Sequence, residues 1–351
     1  MACSRPTALK LAGFLALAFA GLPAESGAQA ILDVSALPTK SEKTRASYQA
    51  FLIRHTPRAF AMASDGGVWA YSSRASLSDT REAASARALE ACAKNAKPDQ
   101  PCRLYAVDLD VVWNGETAAP IEVPKAPEFD PFVPMKGYFL RGPAASKGVV
   151  VWSHGTGWDD ARRYPAHPDV RMLNNSGWDV YAFPRHPASD RLEVGVAGIA
   201  KGMRGISGAG YRKIVLAGQS RGAWQSLTAL AGPIHPFAVV AAAPAAHGGM
   251  GSLNQLSQLS QFKDMLNDAN NPAVRVALFL FDKDEYDDDV SKRMAYAQEI
   301  LGAKGNPLML IGKPAGITGH GGGASFQFAD RYGSCLVRFL ESPDLPKPFG
   351  C

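Results

Sequence analysis

The sequence predicts an α/β protein: a mostly parallel central sheet with helices on both faces, preceded by a small α+β module. Two observations predict it. From about residue 135 onward, short apolar runs recur without polar alternation, which implies strands buried on both faces. Helix-length stretches separate those runs, so neighbouring strands are expected parallel and the crossovers cover the sheet. The expected strands are Gly137 to Leu140, Gly148 to Trp152, Trp178 to Phe183, Lys213 to Ala217, Phe237 to Ala242, Val274 to Phe281 and Pro307 to Ile311. Helices are expected near 159–175, 193–208, 221–231, 255–269, 287–302 and 325–341. Ligands of such sheets bind beyond the carboxyl ends of the strands.

The chain begins differently. Arg5 and Lys10 precede the apolar stretch Leu11 to Leu22, and Ala28-Gln29-Ala30 is a small-x-small cleavage pattern. Residues 1–30 therefore read as a secretory signal peptide, with Ile31 as the mature start. Its apolar stretch of 12 residues falls short of the roughly 20 that span a bilayer. Cys3 precedes that stretch, where lipoprotein processing would not use it. The expectation is an exported protein, periplasmic or extracellular, with no stable membrane insertion.

Export bears on the cysteines. Beyond the leader there are four, Cys92, Cys102, Cys335 and Cys351, and an even count in an oxidising compartment predicts two disulfides. Of the three possible connectivities we expect Cys92–Cys102 and Cys335–Cys351, each pair within one structural unit. No C-x-x-C and no clustered histidines suggest a metal, and no nucleotide motif suggests a cofactor. The net charge of +5 falls to +4 without the leader, and no basic stripe interleaves with aromatics, so nucleic acid is not an expected partner.

Three regions follow the leader. Residues 31–117 form the small module, with a helix over 79–95 opened by Asp79 and Glu82 as a capping box, then a strand from Leu104 to Val107 through Val111 to Trp113. Its cysteine-bracketed pattern resembles small modules of exported bacterial proteins. Residues 118–134 carry prolines at 120, 124, 127, 131 and 134 and read as an extended linker. Residues 135–351 form the larger domain.

Its chemistry is carried by Gly218-Gln219-Ser220-Arg221-Gly222, directly after the apolar run Ile214 to Ala217. This is G-x-S-x-G at a strand-to-helix junction, where a sharp turn lifts the serine above the sheet edge and side chains at either glycine would clash. Such a short match is also compatible with a glycine-lined turn and a surface serine. Upstream, Val149 to Trp152 ends in Ser153-His154-Gly155-Thr156-Gly157. That turn can aim an N–H from Thr156, or from Gly157, at the space above Ser220, with the Arg221 N–H as the second donor of an oxyanion hole. His154 in the same turn reads as structural.

Downstream, the strand ending at Phe281 runs into Asp282-Lys283-Asp284-Glu285-Tyr286-Asp287-Asp288-Asp289. Most of this is a solvated acidic loop. Asp284, two residues past the strand, is the expected acid that orients a histidine, with Asp287 the alternative or else a cap for the next helix. His320 lies in Gly319-His320-Gly321-Gly322-Gly323, after the last strand and before the final helix. Among the seven histidines it alone combines that strand end with that order. His55 belongs to the module, His167, His186 and His235 neighbour prolines in surface turns, and His247 lies in a loop after a strand, placed to line the cleft.

The order Ser220, Asp284, His320, with an HGTG turn upstream, resembles the α/β-hydrolase superfamily over residues 135–345. The resemblance implies nucleophile elbow, oxyanion turn, acid and base at those positions, and no cofactor. It leaves the substrate open, because the superfamily covers many chemistries. Hydrolysis of a small-molecule or polymeric ester is the expected activity. A serine peptidase of the same fold, or a non-catalytic binding protein on a hydrolase scaffold, are the alternatives. The segment 244–273, with Leu253, Leu256, Leu259, Phe262 and Leu266 at helical spacing, reads as a packing helix before a substrate flap. Trp158 could wall an acyl pocket, and Arg162 and Arg163 read as a solvated helix face.

Overall fold

The computed structural model describes residues 27–113, 127–156, 164–186, 190–246, 258–287, 289–346 and 349–351. Residues 1–26, part of the stretch 1–30 expected as a signal peptide, most of the stretch expected as a linker, Gly157, Trp158, Arg162, Arg163, His247, Leu253 and Leu256 lie outside them.

The described chain opens with α1 (Gly27–Leu32), whose first four residues fall in the expected leader, and the module then carries α2 (Glu42–Leu52), capped by Ser41, whose side chain accepts from the Thr44 amide. Strands β1 (Ala59–Ala63) and β2 (Trp69–Ser72), helix α3 (Arg81–Ala93), and strands β3 (Cys102–Val107) and β4 (Asp110–Val111) complete it. The sheet order is β2-β1-β3-β4, antiparallel throughout. Alternation along β1 splits its side chains. Phe60 and Met62 pack with Tyr48 and Phe51 of α2, while Ala59 and Ala61 face Ala88 and Cys92 of α3. Cys92 bonds to Cys102, tying α3 to β3.

Two expectations for the module are corrected. Thr80, not Asp79, caps α3, accepting from the Ala83 amide. Asp79 instead takes a two-pronged bond from Arg87, at 2.5 and 3.0 Å, a stronger charge-assisted partner than a helix amide. The single strand expected over 104–113 is a hairpin, broken where Asp108 adopts φ +53°.

The larger sheet contains β5 (Val133–Pro134), β6 (Gly148–Ser153), β7 (Trp178–Ala182), β8 (Ile214–Gln219), β9 (Ala238–Ala242), β10 (Arg275–Leu280) and β11 (Leu308–Gly312). Their order is β11-β10-β9-β8-β6-β7-β5, parallel except for β5 at the edge. The central strands are buried along their whole length, as their unbroken apolar runs require. Helices α4 (Pro168–Asn175), α5 (Leu192–Gly208), α6 (Arg221–Thr228), α7 (Gln258–Asp268), α8 (Val290–Tyr296), α9 (Gly302–Lys304) and α10 (Phe326–Glu341) connect them, with a π-turn at Ala297–Leu301 joining α8 to α9. Val149, Val151 and Leu216 face the side of α5 and α6; Val150, Trp152 and Val215 face α4 and α10. Phe262 and Leu266 of α7 are buried in the first of these cores, so the described part of that segment is a packing helix. The Cys335–Cys351 disulfide fastens the last residue to α10.

The strand expected at Gly137 to Leu140 does not form. Its backbone is bonded by side chains: Phe139 donates to Asn174 Oδ1 and accepts from Asn174 Nδ2, while the Arg141 and Gly142 amides donate to Asp179. The edge strand is β5, inside the stretch expected as linker, so the core sheet begins before residue 135. The described helix near 159–175 starts only at Pro168.

Candidate active site

Ser220 follows β8 with φ +55° and ψ −121°, a conformation L-residues rarely hold and one that stores on the order of 1–3 kcal/mol. Neighbouring backbone fixes it there. The Ser220 amide donates to the Ala242 carbonyl at 3.1 Å, and its own carbonyl accepts from Trp224 and Ala245. The turn also needs its glycines. A Cβ on Gly222 would come within 2.0 Å of the Ser153 carbonyl oxygen, and one on Gly218 within 2.4 Å of the Gly222 backbone. Although Ser220 stands at the N-terminal end of α6, its side chain makes no capping bond there.

The β6 turn passes beside this elbow. A Cβ on Gly155 would lie 3.2 Å from Ser220 Cβ, so this glycine faces the serine side chain and leaves room for it. Thr156 is exposed, and its hydroxyl accepts from Arg221 Nε at 3.3 Å. His154 is buried, its ring against the Gly155 carbonyl. Burial, then the Arg185 charge, pushes its pKa down to about 4, so it is neutral at pH 7 and packed into the turn.

His320 stands on the loop after β11. Its Nδ1 meets Asp284 Oδ1 at 2.8 Å and Oδ2 at 3.0 Å. Asp284 is buried, and its Oδ1 also accepts the Tyr286 amide. The loop is held by the Gly319 amide on the Asp282 carbonyl. Gln219, next to the serine, reaches the His320 carbonyl at 3.4 Å. Asp287 is elsewhere engaged: it forms an ion pair of 3.1 Å with Arg293, which is wholly buried. Nor does it cap α8, since Asp289 accepts the Lys292 amide.

A seven-stranded sheet, parallel but for one edge, turns at a strained G-x-S-x-G after β8 and sets a histidine–aspartate pair on the loops after β11 and β10. This is the α/β-hydrolase fold. No family model and no curated protein matches the chain. Solved structures similar to it include an esterase from Pyrococcus furiosus, 17% identical, over 57% of this chain and 84% of that one, with a TM-score of 0.40. A metagenome-derived lipolytic enzyme is 13% identical over 56% and 94%, with a TM-score of 0.38. An acylaminoacyl peptidase from Pyrococcus horikoshii is 12% identical over 56% and 37%, with a TM-score of 0.40.

This hydrolase fold contains a support that the sequence reading missed. Arg185, buried just after β7, donates to Ser153 Oγ at 2.5 Å, to the His154 carbonyl, and to the Gly155 carbonyl at 3.3 Å. Asp190 holds its Nε at 3.0 Å and lies 3.8 Å from Arg221. One buried ion pair thus braces both the β6 turn and the residue after Ser220. The signal available was a basic residue at a strand end with an acid five positions on. Arg185→Met should let the turn carbonyls relax and leave Asp190 buried without its partner. We expect kcat to fall by up to about 10²-fold with KM changed only a few-fold, measured on protein shown to be folded.

His167 corrects another reading. It is not in a surface turn but buried, 4.7 Å from the Trp152 ring and against Gly323. Burial pushes it down to about 3, and pushes His55 down to about 4. Between pH 4 and 6.5 the unfolded chain therefore binds protons at His55, His154 and His167 that the native state does not. Asp169 acts oppositely, because burial pushes it up to about 7 and the native state keeps its proton in that window. Burial raises Asp108 and Asp179 as well, and these offset the histidines towards the acid end of the window. The histidines dominate nearest their unfolded pKa, so stability falls as pH drops from 6.5 towards 5.5, by less than about 3 kcal/mol per pH unit. Urea unfolding across that range checks the sign.

Proposed function

We propose that this chain is an exported serine hydrolase of carboxylic esters, working through an acyl-enzyme. The observation that carries the reading is the meeting of His320 Nδ1 with buried Asp284, on loops at the sheet end where Ser220 is held at φ +55°. Asp284 fixes the imidazole with its Nδ1 proton inward, leaving Nε2 to take the Ser220 proton as the hydroxyl attacks the acyl carbonyl. The oxyanion that forms is received by the Arg221 N–H, on the first turn of α6, and by the N–H of Thr156 or Gly157. His320 then passes the proton to the departing alcohol, and water, deprotonated by His320, releases the acid.

Export is supported by the leader pattern of residues 1–30 and by two disulfides, bonds that persist in oxidising compartments. A serine nucleophile speaks against epoxide or haloalkane chemistry, which in this fold uses a carboxylate. The testing experiment compares p-nitrophenyl esters of increasing acyl length with peptide anilides. The proposal expects ester turnover to exceed anilide turnover by orders of magnitude. Preferential anilide cleavage would make the protein a peptidase, and no turnover of either by folded protein would leave a binding scaffold.

A further inference from the structure

Between the module and the core lies a cleft of about 340 Å³, walled by Arg74, Arg81 and Asp108 on one side and Lys136, Tyr138 and Arg171 on the other. Its charges do not cancel. Four cations, Arg74, Arg81, Lys136 and Arg171, line it with two carboxylates, Asp79 and Asp108. Asp79 is already engaged by Arg87, which is outside the cleft lining. Asp108 accepts the Arg58 amide at 2.8 Å and lies 3.9 Å from Arg81, which also reaches Asp110 at 2.9 Å. Arg74, Lys136 and Arg171 are left without a carboxylate of their own among the described residues.

Arg171 decides the matter. It is 1% exposed, yet no carboxylate of the described residues lies within ion-pair distance of it, and its Nε has no hydrogen-bond partner. Its Nη1 donates to the Gly137 carbonyl at 2.5 Å and the Tyr138 ring lies 3.7 Å from its guanidinium, so the group is held rigid. Asp108 attracts it from beyond ion-pair distance, but that carboxylate is shared with Arg58 and Arg81, and Asp169, two residues earlier on α4, is largely protonated below about pH 7 because of its burial. Arg58, also buried, contributes a second guanidinium nearby with its Nη2 unpartnered. Two buried guanidiniums sharing one partly engaged carboxylate are unfavourable in an apolar surrounding, and nothing in the hydrolytic mechanism uses these arginines.

We infer that the seam between module and core binds a small oxyanion, a phosphate, sulfate or carboxylate group whose oxygens accept from Arg171 and from Arg74 and Lys136 at the rim. Guanidinium and oxyanion match in charge and in planar fork geometry. The held guanidinium lowers the ordering cost of binding. The anion is either a free ion or the charged substituent of a larger molecule, the hydrolase's own substrate included.

The test uses the full mature chain with its disulfides formed. Thermal unfolding and calorimetric titration are run with inorganic phosphate and with sulfate against chloride at matched ionic strength. The inference expects a saturable rise in Tm with phosphate that chloride does not reproduce. Arg171→Met should abolish it. In case that variant fails to fold, Lys136→Gln and Arg74→Gln alter only the rim, and each should weaken phosphate binding about tenfold. A rise that never saturates and is equal in wild type and rim variants reflects salt exclusion from the surface, and overturns the site. The binding result does not depend on Ser220 chemistry and should persist in Ser220→Ala. Turnover separates the two sources: a free-ion site leaves KM unchanged for every ester in saturating phosphate, whereas a substrate subsite raises KM for anionic esters alone.

Discussion

Ser220→Ala is expected to lower p-nitrophenyl ester turnover by about 10⁴- to 10⁶-fold, down to what the oxyanion donors and binding alone provide. The fold should survive. The backbone strain at Ser220 is imposed by the Ala242, Trp224 and Ala245 bonds, which are all made by the main chain, and alanine keeps them. No helix cap is lost, because the Ser220 hydroxyl does not serve as one. The Tm should therefore stay within the range of an ordinary surface substitution, about ±0.5 kcal/mol of stability. His320→Ala should give a similar kinetic loss without additivity in the double variant, since the two groups act on one proton. A protein that keeps more than a tenth of its turnover without Ser220 would need a different nucleophile.

Asp284→Asn should cost about 10⁴-fold in kcat, because the amide cannot stabilise the imidazolium and favours the wrong tautomer of His320. The loop would keep its path, since an amide oxygen can still accept the Tyr286 amide bond now made to Asp284 Oδ1. Asp287→Asn should behave in the opposite way. It removes the countercharge of Arg293, a wholly buried arginine also bonded to the Pro244 carbonyl at 2.6 Å. A stranded buried charge costs roughly 3–5 kcal/mol, so this variant should unfold earlier yet, while folded, hydrolyse ester at nearly the native rate. Severe kinetic loss at Asp287 with little at Asp284 would reverse the assignment of the acid.

The order of the core was legible in the sequence because its strands are continuous apolar runs and its crossovers are long enough to be helices. Val149 to Trp152 and Ile214 to Ala217 are buried on both faces, and their runs report that directly. The serine turn was legible because only glycine fits at Gly218 and Gly222. The segment at Gly137 to Leu140 misled because its apolar residues are buried without joining a ladder. A side-chain amide from Asn174 and a carboxylate from Asp179 bond its backbone, and periodicity carries no trace of such partners. His167 misled in a related way, since proline on either side suggests a turn but says nothing about what later packs over it. Arg185 and Asp190 lie five residues apart between β7 and α5, and only the sheet order brings that pair against the β6 turn and Arg221. The loop aspartates were ambiguous because each had several candidate partners: Asp79, Asp287 and Asp289 are settled by neighbours within eight residues, Arg87, Arg293 and the Lys292 amide, whereas Asp284 is settled by His320, 36 residues on.

The most direct test of the account is covalent labelling of the folded mature protein with a fluorophosphonate, followed by tandem mass spectrometry. The account predicts one adduct per chain, located on Ser220, abolished by His320→Ala and slowed by Asp284→Asn. Folded protein that stays unlabelled, or an adduct on any other residue, would contradict it.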